Sequence, residues 1–210
     1  KYEGKVIEVI GHKHDPGVDI LSIIYKYNIN VEFPDDVKEE VKEIPSEVSE
    51  EEMVGRRDLR DEVIFTIDGE DTKDMDDAIS CTINEKGNYV LGVHITDVAS
   101  IIPEDSPLDK EAYERGTSVY FPDCVLPMLP KALSNGICSL NEGEDRLTLS
   151  CIMHVDKKGV VYESEIVEGI IRSNHKMTYT EITKILDGDT ELCKQYADVK
   201  DMVLLCEELT

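Results

Sequence analysis

No stretch of about 18 apolar residues occurs in the 210-residue chain, so no helix of it is expected to span a bilayer. The N-terminus also lacks a secretory pattern of basic patch, apolar run and small-residue cleavage site. Lys1 stands where a complete chain would have Met, and the sequence reads as an excised piece of a longer protein. None of the six cysteines (Cys81, Cys124, Cys138, Cys151, Cys193, Cys206) forms a C-x-x-C pair, which argues against a zinc ribbon. They read as reduced thiols packed as small hydrophobes in a cytosolic protein. Histidine is scarce, with five residues and no H-x-x-x-H pair, so a histidine metal centre is not expected. Positive charge is the largest shortage: 22 Lys and Arg stand against 46 Asp and Glu, a net charge of -24. Taken alone, that argues against nucleic acid, because affinity for phosphates comes from Lys and Arg. What is present, 40% hydrophobic and 32% charged residues, suits a globular domain.

The negative excess is concentrated in three places. Residues 35–52 hold nine acids and two lysines, and residues 181–208 hold eight acids and three lysines. Both read as solvated helix faces. The third place, Asp68-Gly-Glu-Asp-Thr-Lys-Asp74-Met-Asp76-Asp77, packs six carboxylates and one lysine into ten residues. It lies between the apolar runs Val63-Ile64-Phe65-Thr66-Ile67 and Ala78-Ile79-Ser80-Cys81-Thr82-Ile83, a strand-loop-strand pattern. Carboxylates crowded on such a scaffold repel one another and destabilise the fold at neutral pH unless a cation sits among them. A hard divalent ion, Mg2+ or Mn2+, suits an all-oxygen set and keeps positions open for water and phosphate. In an extended segment Asp74 and Asp76 share a face and Asp77 points away. Two acids can then hold a metal while the third meets substrate or a second metal. An EF-hand does not fit: the D-x-D-x-D-G order is missing, and no glutamate stands twelfth from Asp68. The plain alternative is a solvated acidic turn, against which the flanking apolar strands argue.

The string Asp74-Met-Asp-Asp-Ala78 comes after a strand ending Thr66-Ile-Asp68 and is preceded by Gly55-Arg-Arg-Asp-Leu-Arg60. It closely resembles the catalytic domain of the RNase II/RNase R (RNB-domain) exoribonucleases, and most of all its bacterial RNase R branch. Val119-Tyr-Phe-Pro122, Leu126-Pro-Met-Leu-Pro130 and Leu133-Ser-Asn-Gly-Ile-Cys-Ser-Leu140 continue the resemblance in the family's order, over residues 1–188. It implies a 3′→5′ hydrolytic exoribonuclease that releases nucleoside 5′-monophosphates from single-stranded RNA by divalent-metal catalysis. By position, Asp68, Asp74 and Asp76 would set the metals, and Asp76 and Asp77 would take part in the chemistry, Asp77 positioning metal or water. Tyr120, by itself a core strand aromatic, matches an aromatic that contacts nucleotides at the RNA 3′ end, where a ring stacks on any base. Tyr179 matches a tyrosine that helps distinguish RNA in the catalytic channel. The implied partner is a single-stranded RNA 3′ end in the cytoplasm, with no membrane and no small-molecule cofactor, and the resemblance implies nothing about oligomeric state. The family's catalytic domain is about twice as long as the part of it present here after residue 55, and its later half supplies an arginine near the scissile phosphate. The isolated chain is therefore expected to be weakly active or inactive. Much of the family's phosphate binding lies in flanking OB-type modules and in that later half, which softens the charge objection.

Taken in order, Lys5–Ile10 reads as a strand, by resemblance the last of a cold-shock (OB-type) domain. A helix comes after Asp15-Pro-Gly, capped by Asp19 and ending near residues 27–30, with Ile20, Ile23, Ile24 and Tyr27 as a core stripe. A second helix starts at Asp35 with Val37, Val41 and Ile44 on one side, and a third short one starts in Ser46-Glu-Val-Ser-Glu. The three arginines of Gly55–Arg60 either bind RNA phosphate or pair with nearby acids. Two strands, 78–83 and 89–96, join through Asn84-Glu-Lys-Gly-Asn. Asp97 then ends the second, either as a structural capping or loop acid, the preferred reading, or near the metal site. A helix over 108–115 is framed by Ser106 and Gly116. Lys131–Asn135 reads as a short helical turn, and Asn135-Gly136 as a turn. Residues 146–155 and 160–172 read as a hairpin whose second strand carries a bulge, Ser173–Lys176 as a polar segment that either touches RNA or is a surface turn, and 190–209 as a final helix short of packing partners. A helix opening at Met177–Glu181 takes Thr178 or Thr180 as its cap.

These elements predict an α+β fold: a mixed, largely antiparallel sheet with surrounding helices and the acidic loop at the sheet's end. The expected division is residues 1–11 as the end of an OB-type domain, 12–54 as a helical acidic linker, and 55–210 as the first part of an RNB catalytic domain. Two rival classes are a non-catalytic RNA-binding module of the same fold and an acidic metal-binding or interaction domain without RNA.

Overall fold

A computed structural model describes residues 3–6, 8–122 and 124–209. Its centre is a sheet of seven strands, with an α+β architecture as the sequence predicts. In chain order the strands are β1 (Arg57–Asp58), β2 (Phe65–Asp68), β3 (Asp77–Ile83), β4 (Tyr89–Thr96), β5 (Val119–Tyr120), β6 (Val125–Leu126), β7 (Asp145–Val155), β8 (Val161–Arg172) and β9 (His175–Thr178). The large sheet runs β1-β8-β7-β4-β3-β2-β9, and β5 and β6 form a separate two-stranded ribbon. β1 and β9 lie parallel to β8 and β2, and the remaining ladders are antiparallel.

The helices are α1 (Val18–Lys26), α2 (Asp35–Glu43), α3 (Glu50–Met53), α4 (Pro107–Arg115), α5 (Tyr179–Leu186), α6 (Thr190–Gln195) and α7 (Lys200–Glu208). Ser49 and Thr178 open α3 and α5 with reciprocal capping boxes to Glu52 and Glu181. Ser106 caps α4, and Gly116 closes it in the left-handed conformation that glycine adopts without strain. The bulge expected in the hairpin is there: His154 faces Glu163 and Val155 faces Val161, so Tyr162 is the extra residue of β8.

Several expectations do not hold. Residues 5–6 and 8–10 carry no strand, and residue 7 of that stretch lies outside the described residues. A lone strand has no ladder to satisfy its backbone. Gly17, not Asp19, precedes α1; Asp19 sits in the first turn, where its charge still suits the helix dipole. Of the α1 stripe only Ile24 is buried, while Ile23 and Tyr27 are exposed. The helical turn expected at Lys131–Asn135 is there but runs on, in π-type form over Leu133–Ile137, and so absorbs the turn expected at Asn135-Gly136. Of the supposed surface turn Ser173–Lys176, the last two residues begin β9, because β2 offers them a parallel ladder. The last stretch is two helices, α6 and α7, and it has partners. Tyr196, Val199, Met202 and Val203 pack with Phe65, Cys81, Met177 and Ile185 on one face of the sheet.

The opposite face carries a second core, Leu59, Ile64, Met75, Ala78, Leu140 and Ile171. Beside it runs a strip of buried polar groups. His94, fully buried, lies 3.1 Å from Ser80 Oγ and 2.9 Å from Ser150 Oγ, and Ser150 Oγ lies 2.9 Å from Thr148 Oγ1. Gly92 and Gly169 leave the strip its room, since a Cβ at either would crowd Ser80 and His94, or Thr148 and Ser150. Burial pushes the His94 imidazole down to about 4. The folded protein thus holds His94 neutral while the unfolded chain protonates it near the ordinary value of 6.5. Stability is unaffected by this group above that value and falls as pH drops through it, by up to about 1.4 kcal/mol per pH unit. Urea unfolding of His94→Gln is expected to show a flatter decline than the native protein between pH 6.5 and about 4.

Candidate active site

Asp68 ends β2 and Asp77 begins β3, so the acidic segment is the connection between two neighbouring antiparallel strands. Its conformation is set from below. Met75 is 3% exposed and inserts into the core with Ala78, Leu140 and Ile171, which turns Asp74 and Asp76 on either side of it away from that core. Burying a methionine contributes roughly 1.5–3 kcal/mol, enough to anchor a loop of like charges. The main chain is held as tightly. Met75 N–H donates to Ser139 Oγ at 3.0 Å, and Ser139 Oγ–H donates to the Lys73 carbonyl at 3.0 Å. Leu140 N–H donates to Met75 O at 2.9 Å and Thr96 N–H to Asp76 O at 3.0 Å. Lys176 Nζ donates to the carbonyls of Thr72 and Glu70. The backbone oxygens are therefore engaged inside, and the carboxylates are what the loop presents outward.

The four aspartates feel one another. Asp68 is raised above the usual carboxylate range by burial first and then by Asp77, against the pull of Thr66 and Lys176. Asp76 is raised by burial, then by Asp74, Asp77 and Asp68. Each direction means that the ionised site is electrostatically costly, which a bound cation relieves. The donor chemistry fits a hard divalent ion: carboxylate oxygens, no thiolate, no imidazole. Among the described residues, however, no three His, Cys, Asp or Glu side chains converge as a preformed ligand set.

The tyrosines fall on two sides of the loop. Tyr120, on the β5–β6 ribbon, is 68% exposed and lines a cleft of about 220 Å³ together with Asp74, Lys73, Lys131 and Asn135. It is not the core aromatic that the strand pattern alone suggests. Tyr179, 64% exposed, is the first residue of α5, and its neighbour Thr178 pairs with Asp68. The three arginines resolve to acids: Arg56 with Asp97 at 2.7 Å, Arg57 with Glu165 at 2.5 Å, and Arg60 with Asp58 and Asp145. Asp97 is thus structural, nearly buried with Arg56 rather than part of the acid cluster. Sequence reasoning missed Lys73, Lys131 and Ser139, and it offered Lys176 as an RNA contact, whereas its side chain lies on the loop's own carbonyls. A signal was available for Ser139, which lies in the motif Leu133–Leu140 and is fully buried against the acidic loop.

This arrangement, an antiparallel sheet presenting a carboxylate loop beside exposed aromatics, suits metal-assisted work on a phosphate ester. The RNB domain family model matches residues 56–210, and the chain belongs to that family. A cold shock domain model matches residues 1–34. Among curated relatives, ribonuclease R 1 of Lactococcus lactis is 48% identical over 207 residues, covering 99% of this chain and 25% of that protein. Ribonuclease R of Thermotoga maritima is 48% identical over 209 residues, covering 99% of this chain and 29% of that one. The structure of Mycoplasma genitalium RNase R in complex with ribose methylated single-stranded RNA superimposes with a TM-score of 0.83 at 29% identity, over 93% of this chain and 31% of that one. The chain spans about a quarter to a third of the length of these proteins.

If repulsion is the cost of the site, removing one charge relieves it. Asp76→Asn is expected to raise the melting temperature in EDTA by roughly 1–3 °C. Mg2+ is expected to stabilise the native protein and to have a much smaller effect on this variant, both read by scanning calorimetry.

Proposed function

We propose that the whole protein is a 3′→5′ hydrolytic exoribonuclease that degrades single-stranded RNA to nucleoside 5′-monophosphates. The observation that carries this is the clamped loop, which turns Asp74 and Asp76 outward between Asp68 and Asp77 and beside a cleft lined by Tyr120. Family membership and the likeness to an RNA-bound RNase R support the same reading. Asp68, Asp74 and Asp76 would hold Mg2+ or Mn2+. Such an ion would supply Lewis acidity at the scissile phosphate and lower the pKa of an attacking water. Asp76 and Asp77 would take part in the chemistry, Asp77 positioning the metal or the water. Tyr120 stacks on a base near the 3′ end without regard to sequence, and Tyr179 contacts the RNA from the Asp68 side. Lys73 and Lys131, lining the cleft with Tyr120, partly offset the acids there for an incoming phosphate.

We infer the division proposed from sequence: residues 1–11 end an OB-type domain, 12–54 link, and 55–210 begin the catalytic domain. The isolated chain is then weakly active or inactive. Among the described residues no helix is long and apolar enough to cross a membrane. A cytoplasmic location belongs to the same proposal, in keeping with six free cysteines. The strongest competing reading, an acidic interaction domain, draws on the net charge of -24 and on arginines already engaged by acids.

The test uses the whole protein with 5′-labelled single-stranded RNA and Mg2+. A ladder shortening from the 3′ end is expected, abolished by EDTA and slowed about 10²–10⁴-fold in Asp77→Asn. Tyr120→Ala is expected to weaken RNA binding by about 1–3 kcal/mol while leaving the fold intact. RNA bound but not shortened would favour a binding module; neither binding nor shortening would favour the acidic interaction domain.

A further inference from the structure

Lys176 is placed by β9, whose parallel ladder sets it opposite Thr66 and sets Thr178 opposite Asp68. Its backbone N–H donates to Glu142 Oε2 at 2.9 Å, which fixes the strand at this point. Its side chain, half-buried, crosses to the acidic segment and ends on main-chain oxygens, donating to Thr72 O and, at 3.4 Å, to Glu70 O. Those two carbonyls belong to the tight turn closed by Thr72 N–H on Gly69 O at 3.2 Å, Glu70 inside it and Thr72 at its end. The turn is the part of the segment that the other clamps do not reach. Ser139, Leu140, Thr96 and the Met75 side chain hold residues 73–76. Between Asp68 and Lys73 these contacts leave the ammonium group as the link from the turn to the sheet.

We propose that Lys176 is a positioning residue of the acidic site: by clamping the Gly69–Thr72 turn it sets the separation of Asp68 and Asp74, which leave that turn in opposite directions. This rests on reading Asp68–Asp77 as the metal-dependent site. An ammonium suits the task because three donors on one compact, charged nitrogen hold two carbonyls at once. Its positive charge also faces a loop of six carboxylates, where an apolar side chain of the same length offers no compensation. Without the clamp the two carbonyls turn to water and the turn samples wider conformations. The aspartates then stray by distances of the order of an ångström, and misplacement on that scale costs about 10²-fold in rate. The β2–β9 ladder is main-chain and survives loss of the side chain.

The test compares the whole native protein with Lys176→Met and Lys176→Arg. Steady-state kinetics on single-stranded RNA with Mg2+ are measured beside hydrogen exchange at the Thr72 amide. Lys176→Met is expected to lower kcat about 30–100-fold with KM changed less than about 3-fold, and to speed exchange at Thr72. Lys176→Arg, which keeps charged donors, is expected to recover most of both. A kcat for Lys176→Met close to native, or unchanged exchange at Thr72, overturns the proposal. So does a raised KM with native kcat, which would put Lys176 on RNA rather than on the loop. Failure of the site reading looks different, with no RNA shortening by the native protein or full activity in Asp77→Asn. In that event Thr72 exchange decides alone: faster in the Met variant and restored in the Arg variant supports the clamp, and any other pattern overturns it.

Discussion

Repulsion among Asp68, Asp74, Asp76 and Asp77 is the constraint around which the rest of this chain is built. Four like charges on a free loop would spread apart, and here burial and the neighbouring carboxylates hold Asp68 and Asp76 above the usual carboxylate range. Here they are prevented from doing so by contacts that do not involve the carboxylates. An apolar side chain between two of them is driven into the core, and the backbone oxygens behind them are bonded to Ser139, Leu140, Thr96 and Lys176. The hydrophobic effect and main-chain hydrogen bonds thus hold in place a charge arrangement that electrostatics opposes. The segment's path is thus set by the core and the main chain, although among the described residues its carboxylates do not converge as a preformed ligand set.

The remainder of the fold serves that placement. β2 and β3 deliver the two ends of the loop, and α5 to α7 cover the face of the sheet away from Met75. The buried Ser80–His94–Ser150 strip ties β3, β4 and β7 together close to where Asp77 starts. The basic cluster before β2 is taken up by internal pairing, and the Arg56–Asp97 pair secures the end of β4, one residue beyond the Thr96 amide that holds Asp76. Positive charge available to a ligand lies instead in lysines beside the cleft, Lys73 and Lys131. A net charge of -24 is therefore compatible with a phosphate-binding surface, because charge acts over a screened distance of several ångströms rather than as a total.

Legibility tracked the range of the interactions. The short helix opening in Ser46–Glu50, a threonine cap at the start of α5, the helix framed by Ser106 and Gly116, and the bulged hairpin were readable because each depends on residues a few positions apart. The strand expected at 5–10 failed for the complementary reason: alternation shows that a segment can pair, not that a partner is at hand. β9 was missed because its parallel partner lies more than 100 residues earlier, and no local pattern announces a parallel ladder. The arginines of Gly55–Arg60 could not be assigned from sequence, since apart from Asp58, which pairs with Arg60, their acids at 97, 145 and 165 are distant along the chain.

The sequence by itself determined the chemistry of the site: which residues are carboxylates, their spacing, the apolar strands on either side, and the motifs shared with the RNB family. Those are properties of neighbours along the chain, and covalent order preserves them in any conformation. Only the tertiary structure decided how the site is held. Ser139 reaching Met75, Lys176 reaching Thr72, and Tyr120 sharing a cleft with Asp74 all join residues far apart in sequence. Such contacts exist once the core has offset the entropy of closing the loops between them.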